Sequence, residues 1–271
     1  MAEPLSKWLA LREAADVAAR SAIVTRVIVD RLGATRPLRA LDLGTGTGSN
    51  IRYLAPQFHV EQQWLAVDRD PRLLAEVSDR SASIAPGVQI DARALDLGAS
   101  LPSEMFDGRH LVTASALLDL VSKQWLEGVA SECRRAGASA LFALTYNGWN
   151  ECEPHDVDDE HVFALFNQHQ LKDKGLGGFA AGPRGTEVAR DCFVRAAFDV
   201  HIEPSNWHIA PDARDLQREL IEGWAFAAAE IAPSERPKVE AWKQRRLAHV
   251  TAGHSLVAVG HYDLAAVPAG S

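Results

Sequence analysis

The stretch Leu41-Asp42-Leu43-Gly44-Thr45-Gly46-Thr47-Gly48-Ser49-Asn50 decides how this chain is read. Upstream, residues 37–41 read as an apolar strand leaving a proline-marked turn, and downstream residues 51–55 read as the opening turns of a helix. A strand that runs through a glycine-rich bend into a helix is how a doubly wound α/β domain holds a nucleotide-like ligand. Glycine is needed because the backbone must turn sharply and meet the ligand with no Cβ in the way. Free N–H groups at the helix start then favour a carboxylate or a phosphate.

Spacing separates the ligand classes. A dinucleotide fold wants G-x-G-x-x-G, and the third glycine of that pattern would fall on Ser49. The glycines stand instead at 44, 46 and 48, behind the acidic Asp42. Residues 59–68 read as a second strand ending on Asp68, about 20 residues past the bend, where such folds hydrogen-bond ribose hydroxyls. Asp70-Pro71 then opens a helix as N-cap and N1. A third strand, 88–94, leads into Leu95-Asp96-Leu97-Gly98, and a fourth, 108–113, into the small residues Ala114, Ser115 and Ala116. A fifth, 138–146, ends at Asn147-Gly148. Strand and helix alternate five times, which predicts a parallel sheet with helices on both faces.

The acidic-x-Gly-x-Gly-x-Gly bend, the acid on the second strand and the acid-apolar pair after the third resemble the motifs of class I S-adenosylmethionine-dependent methyltransferases. The likeness covers 38–146 by motif and the last two strands by order alone. It implies S-adenosyl-L-methionine as cofactor and S-adenosyl-L-homocysteine as product. Carried over, Gly44, Gly46 and Gly48 surround the methionyl part, with Asp42 and Thr45 in the same bend. Ser49 and Asn50 meet the cofactor's carboxylate, Asp68 the ribose, and Asp96 with Leu97 the adenine, with Asp91 as the competing acid. The backbone near Thr113 and Ala114 faces its amino group. Family members place a helix ahead of the first strand over the cofactor, which would let Arg12 or Arg20 grip the carboxylate.

The fold expected is therefore α/β: a doubly wound, seven-stranded, mostly parallel sheet with an antiparallel last strand and helices on both faces. We read 1–271 as one methyltransferase-like domain. Its parts are a helical cover (1–36), a cofactor-binding core (37–148), a lid-like insert (149–184), and the C-terminal part of the sheet with extra helices (185–271). Residues 5–32 carry a helical apolar face with a break at Ser21. Residues 172–178, Lys-Asp-Lys-Gly-Leu-Gly-Gly, read as a flexible loop above the crevice. Residues 198–204 read as the sixth strand and 255–264 as the seventh.

Composition narrows the partners. The 271 residues carry 28 Lys and Arg against 36 Asp and Glu, a net charge of −8. That balance removes the electrostatic route to a phosphate backbone and favours a small-molecule substrate. Cys133, Cys152 and Cys192 show no paired spacing, which reads as reduced thiols in a cytoplasmic protein. Arg12, Glu13 and Asp16 interrupt any signal-peptide core, and no apolar run reaches the ~18 residues of a membrane span.

A sulfonium already makes a methyl group electrophilic, so no loud catalytic motif is expected. The protein must hold a nucleophile in line with the sulfur–methyl bond, and needs a base where that nucleophile arrives protonated. Asp119, after the fourth strand, Tyr146, at the end of the fifth, and His155, in the insert, are the candidates, with His161 and His169 as further insert histidines. No metal is expected: His161 and His169 lie two turns apart, and the acids at 158–160 read as helix-start residues. Two other readings stand beside the small-molecule enzyme. One is a tRNA or rRNA methyltransferase, although no Asn/Asp-Pro-Pro-aromatic run follows the fourth strand. The other is a cofactor-binding module without catalysis.

Overall fold

Side chains along β1 (Leu38–Leu43) alternate between the two faces of the sheet, and this two-residue period sorts its apolar residues into two cores. Leu38 and Ala40 enter one core with Trp64, Ala66, Leu141 and Ala143; Leu41 and Leu43 enter the other with Leu65, Val67, Val112 and Phe142. The computed structural model describes residues 2–81, 84, 87–98 and 101–270. On the first face lie α2 (Ala22–Leu32), α3 (Ser49–Leu54) and α4 (Pro71–Ser81); on the second lie α5 (Lys123–Ala136) and α7 (Gly185–Arg195). Both faces are covered, so the central strands are apolar on both sides.

The strands β1, β2 (Gln62–Asp68), β3 (Val88–Ala94), β4 (Leu111–Ser115) and β5 (Ser139–Glu153) are parallel. The last strand, β8 (Leu256–Pro268), inserts antiparallel between β5 and β6 (Phe198–Pro204), giving the order β3-β2-β1-β4-β5-β8-β6. This is the expected doubly wound arrangement with one addition. A short β7 (Trp207–Ile209) pairs with β8, an eighth strand among the described residues. Three residues are too few to show an alternation in sequence.

The fifth strand does not stop at Asn147-Gly148. It runs on to Glu153, with register shifts against β8 between Phe142/Thr145 and Tyr146/Asn150. Gly148 (φ 92°) carries the chain through the second irregularity, so the turn signal marks a bulge rather than an end. The first five residues of the expected insert therefore belong to the sheet.

Ser21 separates α1 (Ala2–Ala19) from α2 as expected, its Oγ accepting from the amide of Val24 at 3.2 Å. Behind β7 and β8, three helices form a buttress: α6 (Asp159–Gln170), α8 (Arg214–Ile231) and α9 (Arg236–Ala252). Asp159 is buried and accepts from Trp242 Nε1 at 2.8 Å and from Arg246 Nε at 2.9 Å. Arg245 binds Asp156 and Asp158. The basic group on α9, which reads as a solvated face, thus clamps the acidic run ahead of α6. This clamp fixes α6, whose C-terminal end launches the 171–178 loop over the sheet. Among the described residues, no helix is long and apolar enough to cross a membrane.

Gly185 opens α7 against the turn after β4. A Cβ there would stand 2.8 Å from Leu118 O and 2.9 Å from Asp119 N, both backbone atoms that cannot rotate away. Gly185→Ala should lower stability by about 1–3 kcal/mol through overpacking, read as a lower denaturant midpoint at unchanged m.

Candidate active site

Each glycine of the bend is left-handed: Gly44 at φ 66°, Gly46 at 54° and Gly48 at 82°. Space also demands glycine at 46, where a Cβ would sit 3.0 Å from Leu9 Cδ1. The bend is stapled to the next strand. Gly46 N donates to Asp68 Oδ2 at 2.9 Å, while Asp68 Oδ1 accepts from Asp70 N at 3.0 Å. Asp68 is thereby oriented at the carboxyl end of β2, half-buried beside the bend.

Beneath the bend lies a buried polar network. Asp42 accepts from Thr45 Oγ1 at 2.6 Å and from Asn50 Nδ2 at 2.7 Å. Burial pushes its carboxyl up to about 6, opposed by those two hydrogen bonds and by the Arg20 cation. Asn50 Nδ2 also donates to Thr113 Oγ1 at 3.1 Å, and Thr113 Oγ1 donates to Leu141 O at 2.6 Å. Arg20, at the end of the first helical segment, donates to Asn50 Oδ1 at 2.8 Å and stacks 4.3 Å from the Tyr53 ring centroid. Its Nε lies 3.5 Å from Asp263 of β8, and its Nη2 has no hydrogen-bond partner.

Above the bend opens a cavity of about 470 Å³. The wall on the side of the bend is Gly44, Thr45, Gly46, Ser49, Asn50 and Asp68, joined by Leu97. Its roof is one stripe of α1, Leu5, Trp8, Leu9, Arg12 and Asp16, at helical spacing. Leu117, Leu120, Lys174 and Leu176 close the far side. The cover helix and the 172–178 loop therefore reach the same space. Eight of the cofactor residues named from sequence line this cavity: Arg12, Gly44, Thr45, Gly46, Ser49, Asn50, Asp68 and Leu97.

The other five do not reach its wall. Asp42 and Thr113 lie in the network below, and Gly48 and Ala114 are buried behind it. Asp96 is exposed and accepts from Gly98 N at 2.9 Å, a local turn that holds its carboxylate outside the cavity. Asp91, its competitor, is exposed on the last described strand edge near Arg93. Of the two-residue signal after β3, the apolar member is the one brought in.

Arg12 is already engaged. Its Nε and Nη2 hold Asp16 at 3.0 Å, and its guanidinium lies 4.9 Å from the Trp207 ring centroid and 5.8 Å from that of Trp8. A cation between two indoles fixes the cover helix to β7. Arg20 is engaged as well, by Asn50, Asp263 and Tyr53, but among the described residues its Nη2 has no hydrogen-bond partner beside Ser49 and Asn50. Sequence periodicity named both arginines; the contacts that separate them are tertiary.

The three catalytic candidates part company. Asp119 is buried behind Leu117 and Leu120, its carboxyl raised to about 6 by burial. Backbone amides, its own and that of Tyr146, and the charges of Arg12 and Lys174 oppose that rise. Tyr146 is buried, its hydroxyl donating to Asn167 Oδ1 at 2.8 Å and accepting from Asn150 Nδ2. Burial raises the phenol well above its usual range. His155 is solvent-facing, 3.5 Å from Asp159, and lines no part of the cavity. His161 and His169 pair with Glu235 and Glu230 on the buttress side. Phe163 packs on Trp224 and Trp242, Trp149 and Phe179 are exposed, and Trp207 meets the cavity-lining Arg12.

His261 of β8 was not legible as a site residue. It is buried, 5.1 Å from Trp207 and 6.3 Å from Tyr146 between ring centroids, and burial with the Arg12 charge lowers its imidazole to about 3. It is held neutral. Among the described residues, no group of three or more His, Cys, Asp or Glu is arranged to hold a metal.

With this geometry in view, the comparisons are informative. A family model described as "Methyltransferase domain" matches residues 40–138. That segment is similar to a methyltransferase domain. It spans β1 to the start of β5, the part of the chain that carries the bend, Asp68, Leu97 and Asp119. Among solved structures, the YcgJ protein of Bacillus subtilis is 14% identical with a TM-score of 0.50, over 92% of this chain and all (100%) of that one. A methyltransferase of Bacillus halodurans is 11% identical, TM-score 0.49, over 89% and 96%. Phosphoethanolamine N-methyltransferase 2 of Haemonchus contortus, crystallised with phosphomonomethylethanolamine and S-adenosylhomocysteine, is 16% identical with a TM-score of 0.42. It is matched over 90% of this chain, which spans about half (52%) of its length. At 14% identity and a TM-score of 0.50, the likeness to the Bacillus subtilis protein speaks for the fold alone. No curated protein matches the chain in sequence.

Asp119 makes a test of the turn after β4. A carboxyl raised to about 6 in the fold favours its neutral form, so its contribution to stability is full below about pH 4 and is lost as pH rises towards 6. Asp119→Asn cannot ionise. Relative to wild type it should gain up to about 3 kcal/mol between pH 4 and pH 7, measured by urea unfolding at both ends. A difference that does not change with pH would place the titration elsewhere.

Proposed function

We propose that the protein transfers the methyl group of S-adenosyl-L-methionine to a small-molecule acceptor and releases S-adenosyl-L-homocysteine. The observation that carries this is the glycine bend with Asp68 clamped to its Gly46 amide, opening on a covered cavity of about 470 Å³. That volume lies within the usual range of about 300–1,000 Å³ for small-molecule sites.

The residues present fit the cofactor. At Gly46 a side chain would fill the cradle, and the unpartnered Arg20 Nη2 beside Ser49 and Asn50 offers charge-assisted donors for a carboxylate. Asp68 would take the ribose hydroxyls on lone pairs that the two amides leave free. Leu97 and Leu73 would pack on the adenine ring. The wall beside the amino group would be Ser115 and Ala116, one turn further along than Thr113 and Ala114.

Bound there, the cofactor supplies a methyl group made electrophilic by its sulfonium. The chain's own part is orientation and exclusion of water: the α1 stripe roofs the cavity and Leu176 closes its side. Asp119 is buried off the cavity wall, so its carboxyl, near 6, would take an acceptor's proton at neutral pH through an intervening water. Tyr146, with its hydroxyl committed to Asn167 and Asn150, would shape the wall behind Asp119.

In this reading the chain works as one domain, with α1 as cover and the 171–178 loop as lid. The net charge of −8 and the covered cavity favour a small molecule over a nucleic acid. Three buried free thiols suit a reducing compartment such as the cytoplasm.

Titration calorimetry with S-adenosyl-L-homocysteine tests the reading. Wild type should bind one molecule per chain, and Asp68→Ala should weaken binding about tenfold or more by removing a charged acceptor. Absence of binding to wild type, or full affinity in Asp68→Ala, would remove it.

A further inference from the structure

Taking the proposed cofactor contacts as given, the wall they leave unused is Trp8, Arg12, Leu120 and Lys174. Two cations stand there, and they differ in what they already hold. Arg12 is spent on Asp16 and on two indole faces. Lys174 is half-buried and, among the described residues, has no carboxylate within ion-pair distance. Its neighbour Lys172 takes Glu230 instead, at 3.6 Å. Asp119 acts on Lys174 through charge without touching it.

Lys174 is also built into place. Its Nζ donates to His169 O at 3.0 Å and lies 3.3 Å from His169 Nδ1, while His169 Nε2 lies 2.9 Å from Glu230. A lysine that donates to Nδ1 requires the proton on Nε2, which then points at Glu230, so one tautomer satisfies the whole relay. The loop itself is pinned at Leu176 O by the amide of Ser122 at 3.1 Å. Left-handed glycines at 175, 177 and 178 let it cross so close. Two of the three N–H groups of the ammonium are thus committed to His169, and the third is left for the cavity.

We propose that Lys174 is the specificity-determining residue for the acceptor, and that the acceptor is a small molecule bearing a carboxylate or a phosphate. A fixed, partly desolvated ammonium with no carboxylate in contact is complemented by an anion and left unpaired by a neutral ligand. The anion would anchor the acceptor on the lid while its nucleophile lies towards Asp119 and the methyl group. In the transfer the nucleophile's lone pair forms the new bond to carbon. The sulfur–carbon bond breaks with its electron pair going to sulfur, and the nucleophile's proton passes to Asp119 or to water. Arg69, also on the wall, is exposed beside Asp68 at the ribose end and is not suited to the same task.

Matched acceptor pairs decide the matter: amino acids against their amides, and phosphomonoesters against the corresponding alcohols. S-adenosylhomocysteine release is followed in wild type, Lys174→Met and Lys174→Arg. The expected result is turnover of acid members, with a preference that falls about tenfold or more in Lys174→Met, mainly through KM, and partly returns in Lys174→Arg. Calorimetry with S-adenosyl-L-homocysteine runs in parallel. If wild type binds it and no acid member reacts, or the acid-to-neutral ratio is unchanged in Lys174→Met, the assignment of Lys174 is overturned. If wild type does not bind it, the methyltransferase reading falls first and takes this one with it.

Discussion

A bend made of left-handed glycines points amides out of any regular ladder, and something outside the bend must accept from them. Here Gly46 N goes to a carboxylate, while Thr45 N goes to Val67 O and Gly48 N to Thr45 O. Asp68 reaches across from β2 to Gly46 N, and Asp42 receives the Thr45 hydroxyl from below. The parallel register sets Asp42 opposite Ala66 and Leu43 opposite Val67, so both strands end at one level. The two acids therefore grip the bend from two sides. The arrangement fixes the cavity floor before any ligand arrives, which is what preorganisation means at this site.

Holding a carboxylate as deep as Asp42 requires that its lone pairs be used. Thr45, Asn50 and the more distant Arg20 supply that, and Thr113 and Leu141 extend the chain of bonds into β4 and β5. Arg20 carries the network to Asp263 on the last strand. Asp263 in turn accepts from Ser21 N at 2.9 Å and Leu144 N at 2.8 Å. One carboxylate near the end of the chain thus ties the helix junction and the crest of β5 to the floor of the site. A half-satisfied buried network would be worse than an apolar one. This one is nearly complete, and Arg20 Nη2, an unmatched donor, stands next to the residues read as holding a carboxylate.

Backbone strain gathers at the same edge. Ala116 (φ 51°) and Leu144 (φ 54°) are non-glycine residues in the left-handed region, just past or within the ends of β4 and β5. Each such residue costs about 1–2 kcal/mol. Ala116 N is held by Ala143 O at 2.9 Å and Leu144 N by Asp263, so the strain is locked by specific partners. The irregular pairing of β5 with β8 begins there, and Asp119, Tyr146 and His261 cluster around it. The sheet is regular under the glycine bend and irregular along β5 and β8.

By itself the sequence determined the alternation of strands and helices, the glycine bend, the acid ending β2, and the break at Ser21. Each is a local demand of backbone conformation or of side-chain period. The site was legible where it follows the bend, at Gly44, Gly46, Ser49, Asn50 and Asp68. The tertiary structure decided the rest. It turned Asp96 outward, spent Arg12 on Trp207, continued β5 past a glycine that reads as a stop, and buried Arg246 in what reads as a solvated face. It also brought Lys174 to the cavity wall from a loop and His261 against Tyr146 from the last strand. These depend on partners far apart in the chain, as much as 242 residues for Ser21 and Asp263. No local pattern encodes such a meeting: which side chains pair is settled only when the helices and strands pack and their buried polar groups must find one another.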